Sequence, residues 1–323
     1  MRGYRSKQHV PIILMYHRVA AVDIDPWSIA VDPKCFAEQL EIISRLHTPL
    51  SLATFVDRLG SGTLPDNAIV LTFDDGYVDN LTDAHPLLCA ADIPATIFIP
   101  TGFVGQRSAF WWDELARFVL AEWDGRSFAI TARGRTITIP GTDPADRSLP
   151  DPTGSTDREQ IHRDLYNVLR PMHSRERQDV MEQIRILCGG KGLGTSGRPM
   201  SVGEIQTLTN DGPWTIGAHS VTHPLLADIE LNEAAYEIEQ SRRACAALSD
   251  MPIDGFAYPY GSFDGNTCEL VKQAGFRYAC STVQMAVSSS SPLLSLPRLQ
   301  VPNLGGDAFE QWLADCATSE LAS

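Results

Sequence analysis

Two carboxylates and two imidazoles stand out in this chain by type and spacing. Thr72-Phe73-Asp74-Asp75-Gly76 sets adjacent aspartates behind the apolar run Ala68-Ile69-Val70-Leu71. His219-Ser220-Val221-Thr222-His223 sets two imidazoles four residues apart, with Pro224 directly after them. The proline disfavours a long helix, so the pair is expected on a loop leaving a strand. Two histidines and one carboxylate are enough to hold a Zn²⁺-like ion with one position open for water. A bound cation lowers the pKa of water from about 15.7 towards 7, and a second carboxylate could then take its proton. Adjacent strand residues face opposite ways, so Asp74 and Asp75 are suited to different jobs. Spacing alone leaves open which is ligand and which is base. Each motif by itself is commonplace, Asp-Asp-Gly as a turn and His-x-x-x-His as a surface or core pattern. Their conjunction, each at the end of an apolar strand, is what points to a metal site.

The elements that must position these residues follow from the apolar pattern. Strands are expected over Pro11–Met15, up to Asp74, over Ala95–Ile99, over Trp214–Ala218 ending at His219, over Gly255–Tyr258 and over Arg277–Cys280. Between them lie helical patterns. Asp32-Pro33 is an N-cap and first-turn pair ahead of Phe36, Leu40 and Ile43, and Ser201-Val202-Gly203-Glu204 is a capping box. Asn232 is read as the cap of a helix with Ala235, Ile238, Cys245 and Leu248 inward. Such alternation implies a mostly parallel sheet, open or closed into a barrel, whose chemistry lies at the C-terminal strand ends. Residues 105–200 break the rhythm. Phe128–Thr131 and Thr136–Ile139 flank Arg133-Gly134 as a β-hairpin, Thr142–Thr156 reads as a loop, two helical patterns follow, and Gly189–Gly197 reads as a connector. The block is read as an insertion, leaving 1–104 and 201–323 as a single catalytic domain.

Composition excludes several function classes. With 43% hydrophobic and 20% charged residues over 323 positions, the chain can bury a full core. A net charge of −14 disfavours nucleic acid as a partner, because phosphates demand basic patches. No apolar stretch approaches the roughly 20 residues of a membrane span. The seven cysteines are scattered and odd in number, and no signal-type segment follows the basic Met1–Lys7; both are read as features of a cytoplasmic protein with reduced thiols.

Three motifs then carry a specific resemblance. Thr72-Phe73-Asp74-Asp75-Gly76, His219-Ser220-Val221-Thr222-His223-Pro224 and Tyr258-Pro259-Tyr260-Gly261 resemble the first three motifs of the polysaccharide deacetylase family, the NodB-homology group of carbohydrate esterase family 4. Ile13-Leu14-Met15-Tyr16-His17-Arg18-Val19 resembles the opening strand of one branch of it. The resemblance spans roughly residues 10–104 and 200–300. It implies a distorted (β/α) barrel of about seven strands that removes acetyl groups from carbohydrates with one divalent metal, Zn²⁺ first and Co²⁺, Mn²⁺ or Ni²⁺ as alternatives. It implies Asp75, His219 and His223 as ligands, Asp74 as general base, and the Tyr260 backbone N–H as a support for the developing oxyanion. The implied substrate is an acetylated sugar, a glycan or a lipid-linked sugar.

The chain departs from the family pattern twice. Where many members carry an arginine two residues before the third motif's proline, this chain has Ala257, and Arg298 in Leu296-Pro297-Arg298 is the candidate replacement. Many members use a late histidine as general acid, whereas no histidine here follows His223; His17, ending the first strand, is the candidate substitute. Tyr258 and Pro259 are expected at the substrate, as are Trp112 and Asp113 in Trp111-Trp112-Asp113-Glu114, since aromatic faces stack on sugars and a carboxylate binds hydroxyls. Three other readings compete: an amidase of the same barrel acting on a small non-sugar amide, an inactive carbohydrate-binding homologue, and a two-histidine, one-carboxylate iron oxygenase.

Overall fold

Seven short parallel strands carry the part of the molecule that holds the motifs. In hydrogen-bonding order they are Tyr278–Cys280, Gly255–Ala257, Trp214–Ala218, Ala95–Ile99, Ala68–Phe73, Ile12–Tyr16 and Leu299–Gln300. Thr48–Pro49 adds a bridge beside the start of Ala68–Phe73. The two ends of the row approach each other through one segment. Leu299 and Gln300 lie in register with Leu14 and Met15, while Leu296 bridges Cys280. Ser281 N–H donates to the Leu296 carbonyl at 2.8 Å, and Leu296 N–H donates to Ala279 at 2.8 Å. The result is the distorted (β/α) barrel that the resemblance implied. The coordinates come from a computed structural model, and residues 10–142, 157–190, 197–249 and 251–318 are described. The basic Met1–Lys7, nearly all of the 142–156 loop and most of the 189–197 connector lie outside them.

The strands are mostly apolar because both faces are buried. Ile12, Leu14, Tyr16, Ile69, Leu71, Phe73, Ile97 and Ile99 pack outward under the helices. Ile13, Ala68, Val70, Phe98, Ala257, Cys280 and Leu296 fill the interior. Full burial of each large apolar side chain is worth about 1.5–3 kcal/mol, which fixes the register. Positions 68, 70, 72 and 74 therefore share the inner face, so Thr72 and Asp74 are delivered to the barrel mouth by the same alternation that buries Val70.

The flanking helices follow their caps. Pro33–Leu46 starts where the Asp32 carboxylate accepts from Lys34 N–H, with Phe36, Leu40 and Ile43 buried. Val202–Asn210 starts with the reciprocal Ser201–Glu204 box. The next helix differs from expectation. It runs Leu231–Leu248, its N-cap is Glu230 with no side-chain capping bond, and Asn232 is exposed in the first turn. Its buried stripe is Ala234, Glu237, Ile238, Ser241 and Cys245, so the inward face includes a carboxylate. All seven cysteines are thiols, none joined in a disulfide. No helix among the described residues is long and apolar enough to cross a membrane.

By contact density the chain forms two compact units, one of Met1–Val22, Ser28–Gly105 and Met200–Ser323, the other of Asp23–Trp27 and Gln106–Pro199. The second holds helices Trp111–Ala116, Asp157–Leu169 and Ser174–Leu187 and the antiparallel pair Phe128–Ala132 and Arg135–Ile139. Arg133 (φ 51°) and Gly134 (φ 68°) make the tight turn between those strands. Trp27 packs in this unit at 4.2 Å from the Tyr166 ring centroid.

Candidate metal centre and its carboxylate neighbour

Each motif leaves its strand by continuing the ladder and then breaking it. Asp74 N–H still donates to the Tyr16 carbonyl at 3.0 Å, and His219 N–H to the Ile99 carbonyl at 3.0 Å. The next residues turn left-handed: Asp75 (φ 69°), Ser220 (φ 62°), His223 (φ 57°) and Tyr260 (φ 57°). Among the described residues these are four of the seven non-glycine positions with positive φ, and all four lie in the three motifs. A side chain in that region costs of order 1 kcal/mol or more, so the surrounding structure must hold it there. At Asp75 the turn defeats the strict in–out alternation, so both aspartates serve one end of the barrel. Gly76 (φ 70°) completes the turn, and any Cβ there would meet Ile99 Cδ1 at 2.7 Å.

The three candidate ligands converge. His219 Nε2 lies 3.7 Å and His223 Nε2 3.5 Å from Asp75 Oδ1, and the two Nε2 atoms are 3.2 Å apart. Donors at about 2.0–2.2 Å from a tetrahedral ion stand about 3.3–3.6 Å from one another, so this triangle fits a small divalent cation. All three residues are buried. The His219 Nδ1 lies 2.7 Å from the Ala257 carbonyl, which accepts from an Nδ1–H and leaves the Nε2 lone pair facing the other two donors. Burial pushes the His219 pKa down, which keeps the ring neutral and able to ligate. The His223 ring stands edge-on to Tyr260, centroids 4.3 Å apart.

Asp74 is held differently. Arg298 reaches it from the segment that closes the barrel, Nη1 donating to Oδ1 at 2.8 Å and Nη2 to Oδ2 at 2.7 Å. The same guanidinium donates to Thr72 Oγ1 at 3.1 Å and to the Ser281 carbonyl at 2.9 Å, and it is wholly buried. Burial by itself would raise the Asp74 pKa, but Arg298 outweighs it, aided by His219 and His17, and the carboxyl falls to about 2. The base candidate is thus ionised, aligned and immediately beside a candidate ligand.

A sequence profile described as polysaccharide deacetylase matches residues 61–128 and 195–279. The chain belongs to the polysaccharide deacetylase family. Solved structures agree on the fold. A Streptococcus pyogenes deacetylase, PplD, in complex with acetate, is 17% identical with a TM-score of 0.57, covering 91% of this chain and 92% of that one. IcaB from Ammonifex degensii is 18% identical with a TM-score of 0.58, covering 96% and 100%. A Bacillus cereus polysaccharide deacetylase, BC0361, is 16% identical with a TM-score of 0.59, covering 95% and 69%. No curated protein matches the chain by sequence.

In this polysaccharide deacetylase the remaining candidates are placed as follows. His17 ends Ile12–Tyr16 directly across from Asp74, is half-buried, and lowers the Asp74 pKa. Its carbonyl accepts from Asn80 Nδ2 at 2.9 Å. Tyr260 opens the third motif's left-handed turn and Pro259 is buried before it. Tyr258 differs from expectation: it is fully buried, stacks on Phe263 at 5.0 Å, and its hydroxyl donates to the Leu294 carbonyl at 2.9 Å, so the ring supports the rim from within the core. Trp112 also differs. It is buried in the second unit and stacks on Phe110 at 4.6 Å, so its ring is engaged in that unit's own packing. Asp113 lies in the first turn of Trp111–Ala116, where an acidic residue complements the helix dipole. Residues that sequence reasoning passed over include Thr72, Ser281 and Glu237. Only Glu237 left a usable signal, a charge on the inward stripe of its helix.

Proposed function

We propose that the chain is a Zn²⁺-dependent hydrolase that removes acetyl groups, N-acetyl first, from a carbohydrate or a sugar-bearing precursor. The observation that carries this is the buried Asp75–His219–His223 triangle with an arginine-clamped second aspartate next to it. A cation held by those three side chains would polarise the acetyl carbonyl and acidify the attacking water. Asp74 is the acceptor for that water's proton. Because Arg298 occupies both carboxylate oxygens in plane, the carboxylate cannot rotate away, and its alignment is set before substrate arrives. Donation from the Tyr260 backbone N–H to the developing oxyanion would explain why that residue is held at φ 57°. His17 is the candidate to return a proton to the leaving nitrogen, from the strand end facing Asp74. Balance is simple: water adds across the C–N bond, giving acetate and a free amine.

The test is acetate release from N-acetylhexosamine oligomers and acetylated sugar esters, run beside ring opening of small cyclic amides. Release from the sugars should disappear with a chelator and return with Zn²⁺ or Co²⁺. Ring opening of the cyclic amides alone would make the chain an amidase, and metal-replete protein that releases no acetate from either class of sugar would overturn the assignment.

A further inference from the structure

The loop that carries both imidazoles is strained at two points and must be held from outside. His219-Ser220-Val221-Thr222-His223 has left-handed backbone at Ser220 and His223, one at each side of the Val221-Thr222 pair. Inside the loop, His223 N–H donates to Ser220 Oγ at 3.0 Å. On one side Thr101 N–H donates to the Ser220 carbonyl at 3.1 Å and Gly102 N–H to the Val221 carbonyl at 2.8 Å. That approach requires glycine, since a Cβ at position 102 would sit 2.7 Å from the Val221 oxygen. On the other side stands Glu237 of Leu231–Leu248. Its Oε2 accepts from Val221 N–H at 2.7 Å and from Thr222 N–H at 2.8 Å, and its Oε1 accepts from Thr222 Oγ1 at 2.7 Å.

This carboxylate is 4% exposed, and every one of these three partners is a donor. A buried anion is costly unless its oxygens are saturated, and here saturation comes from the loop itself. Two successive backbone N–H groups on one oxygen fix the orientation of the peptide planes between the two ligands. The geometry points to Glu237 as the positioning residue of the metal centre, setting the separation of His219 and His223 Nε2 without touching the cation or the substrate. The inference rests on the metal-centre reading above and deepens it. It assigns a function to the one charged residue on the buried face of Leu231–Leu248.

Removing a partner that orients a ligand typically weakens a metal site about 10–100-fold. Glu237→Ala should therefore bind Zn²⁺ about 10–100-fold more weakly, read by chelator competition on the folded apoprotein, and should alter the absorption spectrum of its Co²⁺ form. Glu237→Gln should recover most of that loss, because one amide oxygen can take both N–H groups while the amide nitrogen donates to Thr222 Oγ1. Thr222→Val removes one donor and should weaken binding about threefold. It decides the matter if Glu237→Ala does not fold. Wild-type affinity and an unchanged Co²⁺ spectrum in whichever of these two variants is folded would overturn the role of Glu237. Wild-type protein that binds no Zn²⁺ would overturn the metal centre itself, and wild-type protein that binds Zn²⁺ but releases no acetate would overturn only the proposed reaction.

Discussion

Two aspartate–arginine pairs lie near the same end of the barrel and are buried alike, yet they hold their protons in opposite ways. Asp74 is 2% exposed and Asp79 5%, so burial does not separate them. Asp74 faces the flat edge of Arg298 and receives two charge-assisted bonds, one to each oxygen. Asp79 receives one, from Arg18 Nε at 3.0 Å, and a longer one from Val19 N–H at 3.2 Å. Burial raises both pKa values. At Asp79 it prevails over Arg18, with Asp83 adding to it, and the carboxyl rises to about 6; at Asp74 the paired contact prevails and the carboxyl falls to about 2. The difference teaches that geometry, not the mere presence of an arginine, decides whether a buried carboxylate stays ionised. A base beside a metal needs the first arrangement. A brace between the His17-Arg18-Val19 segment and the turn after Gly76 tolerates the second.

The sharpest way to break the comparison is to remove the charge that differs. Asp74→Asn keeps the shape of the side chain and leaves the three candidate ligands intact. Metal content should be unchanged, while acetate release should fall about 10²–10⁴-fold, the usual worth of a general base. Near-normal turnover in metal-replete Asp74→Asn would show that the water's proton goes elsewhere.

Removing the arginines should separate the pairs next. Arg298→Met strands a buried carboxylate beside the ligands, and breaking such a pair costs about 3–5 kcal/mol of folding stability. Arg18→Met should cost less, about 1–2 kcal/mol below pH 6, because Asp79 can take up a proton and shed its charge. Urea unfolding at pH 5 measures both. Equal losses would mean that the two contacts are equivalent and that the pKa contrast has another source.

How far the sequence reveals this arrangement depends on the range of the interaction. The strands Ala95–Ile99 and Trp214–Ala218 are readable to the residue, because both-faces burial leaves a mostly apolar run broken only by Thr96 and Thr215. The candidate metal site is legible as a conjunction of residue types and spacing, but spacing leaves Asp74 and Asp75 interchangeable, and Asp75 is singled out only by the resemblance and by its convergence with His219 and His223. The Asp74–Arg298 contact joins positions 224 apart, and nothing local announces it; it was reachable only by asking what fills the place of Ala257. Tyr258 and Trp112 look substrate-facing in sequence because an aromatic residue near a motif looks the same whether its face is free or covered, and covering partners such as Phe263 and Phe110 emerge only from packing. Asn232 reads as a cap because asparagine favours that position, but the cap falls two residues earlier, at Glu230, and the helix begins at Leu231. Glu237 was legible in principle. It falls three after Ala234 and four before Ser241, on the buried face, and a carboxylate there demands donors.

The smallest expected effect is a slope in stability with pH, and its sign differs between the pairs. Asp79 has its folded pKa raised from 3.8 to about 6. Between those values the folded state binds more protons than the unfolded chain, so its contribution is fully present below about pH 4 and is lost as pH rises through 6. Asp74, with its folded pKa lowered from 3.8 to about 2, contributes in the opposite sense: stability is present above about pH 4 and lost as pH falls through 2. Of these two carboxylates, only Asp79 therefore acts in the range from 4 to 6. A displacement of that size is worth roughly 3 kcal/mol at most, since each tenfold change in proton affinity is about 1.4 kcal/mol. Asp79→Asn should remove that share of the decline in unfolding free energy between pH 4 and 6, measured by urea titration at each pH on the metal-free protein. An unchanged slope in Asp79→Asn would mean that Arg18 holds Asp79 ionised after all, and that a single guanidinium contact suffices where two were thought necessary.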